Sequence, residues 1–374
     1  MRVVLTVDAL TPVLTGIGRY TWELAKGLPN LLGKDKVRYF HIGYRDRWVQ
    51  EPALLTLMSI NKKQKRKGLK ILNSRWFREQ RLKWACRGRV FHGTNFYLPP
   101  CTDIGVVTVH DLSVFKFPET HPRERIRKFA REFGDTIARA AHIITVSEVI
   151  RQEVAEFLAW PVDKITAVPN GVPANFFPMA REAITPFLEK YGLSSDGYVL
   201  CVSTLEPRKK IENLLQAYQS LPQVLRSRFP LILAGSAGWL SDSLHEKIDS
   251  YSRQGWLQYL GFVPEADLPA LYAGARLFAY PSSYEGFGLP VLEAMAAGTP
   301  VVTSNRSSLP EVTQGAALLA DPDNIGELKD LIIKGISDDA WRSAARSMGL
   351  AIAKEYPWER CVQKTLSVYE RIVK

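Results

Sequence analysis

Short apolar runs, each closed by a polar or glycine-containing turn and followed by an amphipathic stretch, recur along the chain. Arg2 to Val7, Arg38 to Gly43, Arg89 to His92, Val106 to Val109, His142 to Ser147 and Ile165 to Val168 read as strands. A second series reads the same way: Tyr198 to Thr204, Leu231 to Ala234, Trp256 to Val263, Leu277 to Tyr280 and Val301 to Thr303. The spacing predicts helices between them over Thr21 to Leu28, Glu124 to Ala141, Glu148 to Leu158, Ile211 to Ser220, Glu265 to Ala273 and Val291 to Ala297, with a last helix from Trp358 to Val373. Strands that are apolar on both faces and alternate with helices belong to parallel α/β sheets. Pro173 to Asp196 has no strong period and reads as a linker with a short helix.

A chain of 374 residues holds two domains of ordinary size, placed by this pattern at 1–177 and 178–357, with 358–374 as a closing helix. The hydrophobic content of 46% and charged content of 23% are those of a globular protein. No run approaches the roughly 18 apolar residues of a spanning helix. The N-terminus, interrupted by Asp8, suits a first strand better than a signal peptide. Cys86, Cys101, Cys201 and Cys361 are widely spaced and read as reduced thiols, not a disulfide frame or zinc site.

Charge is uneven. Residues 1–177 carry a net +13 and residues 178–374 a net −2, and between Lys62 and Arg89 twelve basic side chains face one acid, Glu79. With Trp76, Phe77 and Trp84 interleaved on a possible helix from Ser74 to Arg87, this stretch fits a segment lying on an anionic membrane surface. A solvated helix with a core-facing stripe fits the same letters. No nucleic-acid motif accompanies the charge, so nucleic acid is not an expected partner.

The densest chemistry lies between Pro281 and Asn305. A strand ends in Pro281-Ser282-Ser283-Tyr284, the loop Glu285-Gly286-Phe287-Gly288-Leu289 follows, Pro290 opens a helix, and Glu293 comes eight residues after Glu285. Free amides at a helix start attract phosphate, whereas carboxylates accept hydroxyls, so the combination suits a nucleotide sugar. An ordinary crossover with one cap carboxylate and one solvated glutamate is the plain alternative. Ahead of the helix at Ile211, Arg208 and Lys209 stack positive charge on a positive helix end, an arrangement that suits a bound anion. Two strands of the first half finish in His92-Gly93-Thr94-Asn95 and His110-Asp111-Leu112, marking the carboxyl edge of a parallel sheet as a ligand edge. The loop Thr15 to Tyr20 lacks the third glycine of a dinucleotide fingerprint. Asp321-Pro322-Asp323 reads as turn and cap residues, so no metal is expected.

The run Glu285-Gly286-Phe287-Gly288-Leu289-Pro290, the second glutamate Glu293, and Ala297-Gly298-Thr299-Pro300-Val301-Val302 resemble the Glu-x7-Glu signature of retaining glycosyltransferases of family 4. The likeness spans essentially the whole chain. It implies the GT-B fold: two Rossmann-like domains facing across a cleft, with the C-terminal helix crossing back to the first. It further implies that Arg208 and Lys209 neutralise a leaving diphosphate, aided by the amides of Gly286, Phe287, Gly288 and Leu289. Glu285 would hold sugar hydroxyls and Glu293 the ribose hydroxyls, with the nucleobase near Phe262 and Val263. Gly16 would lie by the diphosphate or acceptor, His110 by the reacting sugar or acceptor, and His92, Asp111 and Ser147 on the acceptor side, Ser147 also capping a helix.

The same likeness leans toward bacterial mannosyltransferases that build O-antigen or capsule-type polysaccharide from GDP-mannose on a lipid-linked or saccharide acceptor. Such an enzyme would work in the cytoplasm, peripherally on the inner face of the plasma membrane. UDP-glucose or UDP-N-acetylglucosamine as donor, a nucleotide-sugar epimerase of the same fold, and a non-catalytic membrane-binding scaffold remain open from the letters alone.

Overall fold

The structure is a computed structural model that describes residues 1–12, 14–41, 48–53, 83–84, 86–236, 238 and 242–373. The strands are β1 Val3–Thr6, β2 Val37–Phe40, β3 Trp48–Val49, β4 Val90–Gly93, β5 Ile104–Val109, β6 Ala140–Thr145, β7 Ile165–Ala167, β8 Val199–Val202, β9 Leu231–Ala234, β10 Leu257–Tyr259, β11 Leu277–Tyr280, β12 Val301–Ser304 and β13 Ala317–Ala320. They form two sheets, ordered β3-β2-β1-β4-β5-β6-β7 and β10-β9-β8-β11-β12-β13. All pairings are parallel except β2 with the two-residue edge strand β3, which the sequence did not predict. β1, β4, β9, β11 and β12 are buried along their full length, as strands covered by helices on both faces must be.

Two compact units result: residues 1–112, 124–170 and 358–374 in one, residues 113–123 and 171–357 in the other. Two pieces that sequence order gives to the first domain belong to the second unit. In residues 113–123 the Phe117 ring lies 5.1 Å from Tyr284. In residues 171–177 Val172 N donates to Tyr356 O at 2.8 Å and Phe176 packs 5.5 Å from Tyr272. The closing helix Trp358–Val373 packs in the first unit, where a Cβ on Gly27 would stand 2.8 Å from Val362.

The second expectation to change is the glycine loop at Thr15 to Tyr20. Thr15 caps a helix that runs Gly16–Leu32, so Gly16 is its first residue and not part of an open loop. The Thr15 hydroxyl accepts from Gly18 N at 3.4 Å, and a Cβ on Gly18 would crowd Ala9 O at 3.0 Å. Most of the basic stretch 62–89, with Trp76 and Phe77, lies outside the described residues; of its ends, Trp84 is 80% exposed. No described helix is long and apolar enough to cross a membrane. No disulfide joins the four cysteines, and all four are buried.

Candidate active site

In the second sheet the strand order runs outward in both directions from the β8–β11 pair. That pair is the topological switch point, where the loops leaving the two carboxyl ends diverge and open a crevice for a ligand. The loop after β8 carries Glu206, then a tight turn Pro207–Lys209, then Lys210 in the left-handed region at φ 53° before the helix Ile211–Gln219. The loop after β9 lies directly against it: a Cβ on Gly235 would be 2.0 Å from Ser203 O, and one on Gly238 2.1 Å from Leu205 O. Glycine is the only residue that allows this approach.

The loop after β11 brings Tyr280 and Glu285 to the same place. Lys209 Nζ donates to Glu285 Oε1 at 2.5 Å and to the Tyr280 hydroxyl at 2.8 Å, and that hydroxyl donates to Glu285 Oε1 at 2.8 Å. Arg208 Nη2 donates to Glu206 Oε1 at 2.9 Å, its Nη1 lies 3.5 Å from Glu285 Oε2, and Nη1 also donates to the carbonyl of Tyr284. Glu206, Lys209 and Glu285 are all buried. The two cations are therefore neither solvated nor unopposed: two carboxylates balance them in a buried cluster. Burial alone raises the Glu285 carboxyl, but the Lys209 ammonium and the Arg208 guanidinium outweigh it and hold the group at about 2. Burial and the Glu285 charge push Tyr280 well above the ordinary phenol range, so it stays a neutral donor.

Beyond Glu285 the chain is closely packed. Gly286 is buried, Phe287 packs its ring 5.8 Å from Tyr356, and Gly288 at φ 109° precedes the helix Leu289–Ala296 with Pro290 in its first turn. A side chain on Gly288 would meet both an unfavourable φ and Leu309 Cδ2 at 2.7 Å. Glu293, half-buried in the second turn of this helix, accepts from the Tyr272 hydroxyl at 3.1 Å. After β10, Val263 is buried while Phe262 is 55% exposed. Asp321 pairs with Arg306 at 2.5 Å, and Asp323 with Arg306 and Lys210 at 2.7 Å each. This pair of aspartates is spent on ion pairs, and no group of three metal-ligating side chains occurs among the described residues.

In the first unit His110 follows β5, with Tyr20 edge-on at 5.1 Å and Phe96 at 5.7 Å. Its Nε2 lies 2.8 Å from Thr94 O, so Nε2 carries the proton and Nδ1 keeps a lone pair. Burial lowers its pKa against the opposing pull of the Thr94 carbonyl and Asp111. Asp111 is half-buried beside it, and Ser147, fully buried, caps the helix Glu148–Leu158 through Ile150 N at 3.3 Å. His92 has to be corrected. It is completely buried, its Nε2 2.7 Å from Thr108 Oγ1 and its Nδ1 2.5 Å from the Tyr369 hydroxyl. It is the third residue of β4, a strand buried along its full length, and its bonds to Thr108 and Tyr369 tie the closing helix to the sheet instead of meeting an acceptor.

Residues 14–176 match the profile of Glycosyltransferase Family 4 and residues 186–351 that of Glycosyl transferases group 1. The chain is 40% identical over 379 residues to O-antigen chain mannosyltransferase B of Escherichia coli, covering 99% of this chain and 100% of that one. The chain belongs to glycosyltransferase family 4. It is also 31% identical over 242 residues to the serotype-specific mannosyltransferase WbdA of Escherichia coli, a match covering 63% of this chain and 29% of that protein. The HepE protein of Anabaena, solved with UDP-glucose, superposes with a TM-score of 0.75 at 18% identity, covering 99% of this chain and 100% of that one. That likeness establishes the fold, GT-B.

The letters singled out Arg208, Lys209 and Glu285, and the structure brings these three side chains together after β8 and β11. They did not place Glu206 or Tyr280, which complete the charged cluster. Tyr280 ends β11 and Glu206 lies in the loop after β8, both beside the ligand edge of the sheet, where a buried polar group has to be satisfied by something; that was the available signal.

Proposed function

We propose that this glycosyltransferase moves mannose from GDP-mannose to a lipid-linked or saccharide acceptor in O-antigen-type polysaccharide synthesis, with retention at the anomeric carbon and without a metal ion. The supporting observation for sugar and process is the identity of 40% over the whole length of O-antigen chain mannosyltransferase B. The buried cations at the β8–β11 switch point support a diphosphate donor, since a nucleoside diphosphate leaves with negative charge that needs fixed partners.

On this reading the diphosphate takes over Lys209 and Arg208 and the amides of 286–289. Glu285 turns to the sugar hydroxyls, and Glu293 receives those of the ribose. Phe262 and the Val263 backbone meet the base. His110, whose Nδ1 lone pair is left available by its bond to Thr94, accepts from a sugar hydroxyl. Asp111 serves the acceptor, Ser147 acts on that side through the helix it caps, and the helix start at Gly16 serves the donor diphosphate or the acceptor. An oxygen of the departing phosphate takes the acceptor's proton, so the protein supplies position and charge, not a nucleophile. The enzyme works on the cytoplasmic face of the membrane, held there by the basic stretch 62–89.

A transfer screen with GDP-mannose, UDP-glucose, UDP-N-acetylglucosamine, ADP- and TDP-sugars tests this. GDP-mannose should be the donor consumed, and proton NMR of the product should show the donor's anomeric configuration. Transfer from a UDP-sugar alone overturns the donor assignment. Isomerised donor without transfer indicates an epimerase, and no stabilisation by any nucleoside diphosphate indicates a scaffold.

A further inference from the structure

The backbone that carries Glu285 is gripped from the loop after β12, and the grip is unusually specific. Ser307 Oγ accepts from Glu285 N at 3.2 Å and donates to Glu285 O at 2.5 Å, so one hydroxyl closes both backbone groups of a single residue. The neighbouring Ser308, fully buried, shares its proton between Glu285 O at 2.9 Å and Phe287 O at 2.8 Å. Ser307 reaches this pose only by adopting φ 57°, the left-handed region that non-glycine residues avoid. Glycine would hold that backbone without strain, but it would have no hydroxyl to offer. Strain kept at a site with a chemical group attached points to a use for the group.

The consequence runs to the charged cluster. Glu285 reaches Lys209 over 2.5 Å only while its backbone stands where these two serines hold it. The opposite side of the same loop is fixed independently, through Ser283 N and Ser283 Oγ, each 2.9 Å from Arg208 O. The loop is thus pinned to the turn that carries the cations on one flank and to Ser307 and Ser308 on the other.

We infer that Ser307 and Ser308 are positioning residues of the transfer reaction, setting the Glu285 carboxylate against Lys209 and the donor sugar by clasping the Glu285 backbone. This rests on the proposed role of Glu285 at the donor. Loosening the clasp leaves the carboxylate poorly placed for Lys209 in the free enzyme and for the donor sugar in the complex, which weakens the ion pair and lowers turnover together.

Three variants test it against the wild type. Ser307→Gly relieves the left-handed strain and removes the hydroxyl: kcat should fall at least tenfold with the donor KM changed less than threefold, while the urea midpoint, raised by the relieved strain and lowered by the weakened ion pair, should move little. Ser307→Thr restores the hydroxyl and worsens the strain: turnover should recover most of that loss, with a lower midpoint. Ser308→Ala should lower kcat in the same direction. A merely structural serine would show activity following stability, the reverse order. The second readout is carbon-13 NMR of the Glu285 carboxyl, assigned by its loss in Glu285→Gln. Its titration should move upward from about 2 in Ser307→Gly. This readout does not depend on the donor, so a wrong donor assignment leaves it standing. Full kcat in Ser307→Gly, or an unmoved Glu285 titration, overturns the inference.

Discussion

Removing the Lys209 ammonium while keeping its volume, Lys209→Met, leaves the Glu285 carboxylate buried with Arg208 at 3.5 Å and the Tyr280 hydroxyl at 2.8 Å. Truncating one partner of a buried pair costs about 3–5 kcal/mol, since the other charge stays desolvated. The titration agrees: a carboxyl held at about 2 against an ordinary 4.5 corresponds to about 3 kcal/mol of folding stability. In the wild type this stability is complete above pH 4.5 and is lost as the pH falls toward 2, because the unfolded chain binds the proton first. In Lys209→Met the nearest opposing charge is gone while burial and Arg208 remain, so the native carboxyl rises from about 2 and its contribution to stability above pH 4.5 shrinks. Urea unfolding of the wild type, Lys209→Met, Glu285→Gln and the double variant, followed at about pH 7.5 and about pH 5, reads the cycle. Lys209→Met should be the least stable at the higher pH, and adding Glu285→Gln should return at least half of the loss. Turnover should fall by about 10²–10³ in all three variants. A Lys209→Met protein as stable as the wild type, or one whose loss Glu285→Gln does not repair, would refute the reasoning.

Other outcomes follow from the same geometry. His92, held at about 3 by burial and the nearby His110, resists protonation in the folded state. Its contribution is complete above the ordinary 6.5 and is lost as the pH falls toward 3, so His92→Gln should flatten the acid limb of a stability-against-pH curve. Gly235→Ala puts a methyl 2.0 Å from Ser203 O at φ 139°, and should lower the unfolding midpoint and donor affinity together. Chelator treatment should leave transfer unchanged if the reaction needs no metal, measured as product formed per minute before and after. Charge reversal between Lys62 and Lys83 should release the protein from anionic liposomes in a flotation assay; unchanged flotation removes the membrane assignment.

What the letters revealed depended on how local the cause was. The runs 231–234 and 277–280 became strands with the bounds that their apolar letters suggest, because a parallel strand covered on both faces is apolar throughout. The helix from Glu148 was legible through its Ser147 cap. The helix at Gly16 was not, since two glycines argue against a helix until Thr15 caps it and Gly18 fits under Ala9 O. Pairing of Lys209 with Glu285 depends on β8 lying beside β11, a neighbourhood set by sheet order across 76 residues and invisible to spacing. His92 shows the same limit from the other side: a polar letter at a strand end looks like a ligand, and only the closing helix, with Tyr369, reveals its partner. Residues 113–123 follow the first sheet in sequence and pack with Tyr284 of the second unit because Phe117 finds its apolar contact there.

The central claim is that Arg208 and Lys209 hold a nucleoside diphosphate in the crevice at the ends of β8 and β11. A crystal structure of the protein grown with GDP tests it most directly. The account predicts the diphosphate within hydrogen-bonding distance of Lys209, Arg208 and the amides of 286–289, with Glu285 moved off the ammonium. A diphosphate bound elsewhere, with Lys209 still closed on Glu285, would contradict it.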